Sequence, residues 1–151
     1  MTKTPSNMMP LRTKAPDFDL PDTVSGTSKT LAELKSDTAT VIMFICNHCP
    51  FVKHIRYGLI HMSNDYIPKG ISVIAISAND ASEFPEDAPD LYIFDRELTC
   101  AYRGQFDSSR PESGIPVTGE DLRSTLENIL AGKPISIPQR PSLGCNIKWR
   151  Q

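Results

Sequence analysis

The chain has no long apolar run. Nothing in its 151 residues approaches the ~18 consecutive apolar residues of a membrane span. Met1-Thr2-Lys3-Thr4-Pro5-Ser6-Asn7 also lacks the apolar h-region of a secretory signal. These absences lead to the expectation of a soluble, cytoplasmic protein with no membrane partner. A large excess of charge is missing too. Sixteen Lys and Arg face eighteen Asp and Glu, a net charge of −2, so there is no basic footprint for nucleic acid. There is no internal repeat. Cysteine is scarce, with four in the chain. In a reducing compartment that number does not form a structural disulfide framework, which leaves catalysis, metal binding or plain burial as uses.

What is present fits one domain over residues 1–151, with enough apolar content for one core. Residues 1–14 read as a loose lead-in and 133–151 as a proline-containing tail. Charge is unevenly spread. Asn79 to Leu98 holds seven acidic residues and one basic, whereas Gly132 to Gln151 holds four basic residues and no acidic one. Two solvated surface patches account for this, and a docking role is the alternative.

The element order follows from periodicity and turn residues. Val24 to Thr30 reads as a turn centred on Gly26, and Leu31 to Lys35 as one helical turn. Thr40 to Ile45 is a near-continuous apolar strand, the pattern of a strand buried on both faces. Phe51, Ile55, Leu59, Met62 and Tyr66 recur at steps of four, four, three and four, one face of an amphipathic helix. Gly58 weakens that helix by up to ~1 kcal/mol relative to alanine, and Pro68-Lys69-Gly70 ends it. Ile71 to Ser77 is a second strand, parallel to the first through a right-handed crossover. Ala78 to Asp90 reads as a loop. Leu91 to Phe94 and Leu98 to Phe106 form an antiparallel hairpin. Gly119 to Ala131 is a last helix with Gly132 as its stop.

Chemistry concentrates where the first long strand meets its helix, at Cys46-Asn47-His48-Cys49-Pro50. Two cysteines two residues apart, at a strand-to-helix junction inside a βαβ unit, mark a thiol–disulfide redox centre. Only a thiolate attacks a disulfide. A thiol of pKa ~8.5 is about 3% thiolate at pH 7, and one of pKa ~6 is about 90%. Unpaired N–H groups and the dipole at a helix start favour the anion. Pro50 suits the first helical turn, where its missing N–H costs nothing. His48 could add a donor or a positive charge. Cys46 is the expected attacking thiol and Cys49 the resolving one.

Several quoted segments together resemble a known family. They are Ala15-Pro16-Asp17-Phe18-Asp19-Leu20, Met43 to His54, Asn79-Asp80, Tyr102-Arg103-Gly104-Gln105, Asp107-Ser108-Ser109-Arg110-Pro111 and Gly144-Cys145-Asn146-Ile147-Lys148-Trp149. The chain resembles the peroxiredoxin-like branch of the thioredoxin superfamily, in the alkyl hydroperoxide reductase/thiol-specific antioxidant family. The resemblance implies an α/β, thioredoxin-like three-layer fold around a central mixed sheet. It implies a thiol–disulfide oxidoreductase with a reserve hydroperoxide-reducing activity and no cofactor. Its partners would be disulfide-bearing proteins or small hydroperoxides, and a cellular thiol reductant. It also implies a cis-proline beside the cysteines, for which Pro89 is the matching position. Aligned as a peroxiredoxin, Cys49 would attack and Cys46 resolve, so the order of the two thiols stays open.

Two departures from the family pattern matter. The Pro-x-x-x-Thr-x-x-Cys of a peroxiredoxin is absent. With Cys49 as its cysteine, the threonine position is Cys46 and the proline position is Ile42, which shifts the reading from peroxidase toward disulfide exchange. The second departure is a shortened link. Ala78 to Asp90 cannot hold the helix that such a fold places between its second and third core strands, although it is long enough to cross one strand of a sheet. The expectation is an excised helix, an uncovered apolar face, and hence a homodimer or low stability.

Other residues carry weaker signals. Cys145 is a candidate auxiliary thiol or a small packed residue. Cys100 reads as a buried core thiol, and His54 and His61 as solvated or locally bonded histidines. Lys53 and Arg56 read as a charged helix face that could also favour a nearby thiolate. Asp107, Arg110 and Tyr102-Arg103-Gly104 match the family without an assigned role. Two rival functions remain. One is copper or zinc binding by Cys46, His48, Cys49 and His54, against which a single cysteine pair falls short of a usual four-ligand zinc site. The other is a non-catalytic binding domain.

Overall fold

The computed structural model describes residues 4–5, 8–46, 49–77 and 90–144. Thr4–Pro5 is β1. Asp19–Pro21 (β2) and Ser28–Thr30 (β3) form an antiparallel hairpin. Gly26 takes its turn at φ 72°. The helical turn Leu31–Leu34 (α1) starts with a reciprocal cap. The Thr30 N–H donates to Glu33 Oε2 at 2.8 Å, and the Glu33 N–H to Thr30 Oγ1 at 3.3 Å, satisfying two donors that a helix start leaves open.

The core follows. Ala39–Phe44 is β4 and Pro50–Tyr66 is α2. After a 3₁₀ turn at Ile67–Lys69 come Ile71–Ile76 (β5), Asp90–Asp95 (β6) and Cys100–Gly104 (β7), then helix Glu120–Leu130 (α3) and Leu143–Gly144 (β8). The main sheet runs β5-β4-β6-β7. β4 is parallel to β5 and antiparallel to β6, and β6 is antiparallel to β7. This is the mixed sheet expected from the chain's order of elements. The last strand is shorter than its apolar pattern suggests, because Leu98 turns at φ 60° and the ladder slips between Ile93 and Phe94.

Side-chain alternation along the strands builds two layers. Val41 and Met43 face α2 and α3, where Ile55, Leu59, Met62, Leu122 and Leu126 complete one core. Ile42, Ile74, Phe94 and Cys100 face the other way, against Leu31 and the partly buried Met9, Ala15 and Phe18. The lead-in therefore has a structural role. Arg12 N–H donates to Cys100 O and Ala15 N–H to Leu98 O, each at 2.8 Å. Arg103 Nε donates to Met9 O at 2.7 Å. β1 pairs with β8.

Gly58 has a reason that periodicity does not show. A Cβ there would lie 2.8 Å from both Phe106 Cε1 and Val117 Cγ1. Its weak helix propensity is the cost of letting Phe106 pack beneath α2. Gly104 sits at φ 149° with the Arg140 carbonyl against the place of a Cβ, so two backbones meet there without a side chain between them. The link on which the excised-helix expectation falls, residues 78–89, lies outside the described residues. Its ends are informative nonetheless. Phe44 pairs with Ile76 on one side and Asp90 on the other, so the chain leaves and re-enters the sheet at the edge that carries Cys46.

Candidate active site

The site grows out of the end of β4. Ile45 N–H donates to Ile76 O at 3.0 Å, prolonging the parallel pairing by one residue. The chain then breaks from the sheet. Cys49 is the N-cap of α2, with extended backbone at φ −63° and ψ 125°, and Pro50 occupies the first turn. The Cys49 carbonyl accepts the first helical bond from Lys53 N–H at 2.9 Å. An extended N-cap before a proline is what local sterics demand, and it turns the Cys49 N–H back toward Cys46. That N–H donates to Cys46 Sγ at 3.4 Å, a bond that strengthens when the sulfur is an anion.

The two thiols differ in access. Cys49 is 0% exposed and Cys46 is 9% exposed. Both pack with Val52, Ile45 and Phe51. Cys46 also lines a groove of about 420 Å³ along α2, which Cys49 does not reach. His48, Pro89 and Cys145 lie outside the described residues. Cys100 is in β7 on the opposite sheet face from α2. Burial pushes its thiol pKa up, the condition of an inert core cysteine. Among the described residues no three candidate metal ligands come together.

A second polar cluster lies beyond Phe51. His61 is exposed, but His54 is not the solvated residue its helix position suggests. Its Nε2 is buried without a hydrogen-bond partner among the described residues. It lines a cavity of about 20 Å³ with Gln105, Asp107 and Arg110, a volume of one-water size. Asp107 is 2% exposed and holds the loop into α3. It accepts from Ser109 N–H at 2.9 Å and Ser109 Oγ at 2.5 Å, from Thr118 N–H at 2.8 Å and from Gly119 N–H at 2.7 Å. Burial alone would raise its pKa, but these donors outweigh burial and hold the carboxyl below its ordinary value. Arg110 donates to Asp107 O, Ser109 O and Gln105 Oε1. Asp107 and Arg110 thus gain a structural role that their spacing in the sequence does not disclose.

The mixed sheet β5-β4-β6-β7 with α2 and α3 packed against it is a thioredoxin-like fold. The chain belongs to the AhpC/TSA family, whose sequence model matches residues 11–102. A solved structure of an uncharacterized conserved protein from Geobacillus kaustophilus is 46% identical, with a TM-score of 0.95 over 99% of this chain and 97% of that one. A hypothetical protein from Sinorhizobium meliloti is 39% identical, with a TM-score of 0.92 over 97% and 98%. At 18% identity, a domain of a possible thiol-disulfide isomerase from Cytophaga hutchinsonii shares the fold, with a TM-score of 0.55 over 83% and 98%. No curated protein matches the chain.

Proposed function

We propose that the protein is a thiol–disulfide oxidoreductase that cycles a disulfide between Cys46 and Cys49. The observation that carries this reading is the bond from Cys49 N–H to Cys46 Sγ at 3.4 Å, made at a helix start where Cys46 alone of the pair reaches a groove. In the reductive direction, Cys46 loses its proton and its thiolate attacks one sulfur of a substrate disulfide. The substrate S–S bond breaks, one thiolate leaves and takes a proton from water, and a mixed disulfide forms. Cys49, deprotonated in turn, attacks Cys46 Sγ. The mixed disulfide breaks, the second substrate thiol departs, and the two electrons gained by the substrate leave a Cys46–Cys49 disulfide. A cellular dithiol restores the reduced pair, and the reverse sequence oxidises a substrate dithiol. Hydroperoxide reduction takes second place, because Cys46 stands where a peroxiredoxin has its threonine.

Mass-mapped alkylation of the reduced protein at low pH, combined with reduction of 2-hydroxyethyl disulfide, tests this reading. The expected result is preferential labelling of Cys46 and catalytic turnover. Labelling led by Cys49 would reverse the thiol roles. Absence of turnover, with Cys46 and Cys49 remaining unlinked under oxidant, would remove the reading.

A further inference from the structure

The groove beside Cys46 has a chemical character that points to its substrate. Val52 and Leu59 are 4% and 5% exposed and form an apolar floor, and Ile60 extends it outward at 49%. Two cations line the same groove, Lys53 and Arg56. Both are exposed, and among the described residues neither has an acidic partner. Arg56 is held with its guanidinium carbon 5.2 Å from the centre of the Tyr57 ring. Among the described residues, no acidic one lines the groove. At 1.5 Å per residue, Lys53 lies roughly 6 Å and Arg56 roughly 10 Å along the helix axis from the Cys49 cap. An extended peptide covers that span in about two to three residues.

We infer that the groove receives an acidic polypeptide segment on either side of a disulfide, with an apolar side chain on Val52 and Leu59 and a carboxylate two or three residues from the half-cystine against Lys53 and Arg56. This assignment rests on the exchange function proposed above and names its substrate class. Charge complementarity is the deciding observation. An apolar floor alone accepts any chain, while two exposed cations lining the same groove at this spacing favour an anionic one. The volume of about 420 Å³ takes a few side chains rather than a folded domain. The peptide therefore enters as an extended segment, with its sulfur delivered to Cys46.

The test uses fluorescent disulfide-linked peptides that differ only in having Glu, Gln or Lys three residues from the half-cystine. Each is mixed with the reduced full-length protein, and 2-hydroxyethyl disulfide is run in parallel. The Glu peptide should react about tenfold faster than the Lys peptide, as two partly exposed charge contacts allow. About 0.5 M salt should shrink that preference, and the Lys53→Glu/Arg56→Glu protein should invert it. Equal rates for all three peptides, with 2-hydroxyethyl disulfide still reduced, would overturn the groove assignment and leave the exchange function standing. Loss of reaction with every disulfide would overturn both. Stronger inhibition by decanoate than by the reduced Glu peptide would overturn the peptide assignment and give the groove to an acyl chain.

Discussion

Asp107→Asn removes a charge while keeping the shape of a fully engaged side chain, and its cost can be worked from the contacts. One carboxylate oxygen serves Ser109 N–H and Oγ, and the other serves Thr118 and Gly119 N–H. An amide has one accepting oxygen. Its better orientation keeps the two N–H donors at the start of α3, which turns the new NH₂ toward Ser109. The Ser109 hydroxyl can rotate to accept, but the Ser109 N–H is left facing a donor. Ser109 is 2% exposed, so that unpaired N–H costs about 1–3 kcal/mol. The two retained bonds lose their charge assistance, about 0.5–1 kcal/mol each. The sum is about 2–5 kcal/mol, or roughly 4–20 °C in Tm for a domain of this size. Urea unfolding followed by far-UV circular dichroism should show a lower midpoint at constant slope. The gap should depend on pH. The folded pKa of Asp107 lies below the unfolded value of ~3.9, so its contribution is complete above that value and is lost as pH falls through the folded pKa. The variant should therefore approach the wild type below about pH 4. A loss under ~1 kcal/mol at pH 7, or a gap unchanged down to pH 2.5, would refute the account of this loop.

The remaining predictions concern packing and the thiols. Gly58→Ala should destabilise by about 0.5–2 kcal/mol, since overpacking against Phe106 exceeds the helix gain of up to ~1 kcal/mol; a raised urea midpoint would show that the contact yields. Cys49→Ser should trap a mixed disulfide on Cys46 that mass spectrometry detects, while Cys46→Ser should lose at least ~100-fold in exchange rate. Cys100→Ala should lower stability by about 1–2 kcal/mol and leave the exchange rate within about twofold; a larger rate loss would tie β7 to the chemistry.

The strands and α2 were legible because their patterns are local. Thr40 to Ile45 is a near-continuous apolar run whose first five residues fall in β4, and the four-four-three-four spacing of Phe51 to Tyr66 becomes α2. Cys46-x-x-Cys49-Pro50 showed where the helix starts, because a proline after an extended residue leaves few alternatives. What was not legible depends on partners distant in sequence. The lead-in looked loose because its hydrogen bonds go to residues 98–103, more than eighty positions away. Gly58 looked like a defect because Phe106, which needs the space, is 48 positions on. Asp107 had no role until Thr118 and Gly119 returned to it. His54 read as solvated or locally bonded because helical periodicity says nothing of the Gln105–Arg110 segment that lines the same cavity. The groove at Cys46 could not be read at all, since its floor combines the end of β4 with one side of α2.

Whether Cys46 and Cys49 act as one redox couple is decided by a redox titration of the whole protein in thiol buffers, quenched by alkylation and read by mass spectrometry. The expected result is a single reversible two-electron transition between roughly −300 and −120 mV, linking Cys46 to Cys49 and leaving Cys100 reduced. Thiols at 46 and 49 that never join, or that oxidise only irreversibly to sulfinic or sulfonic acid, would contradict it.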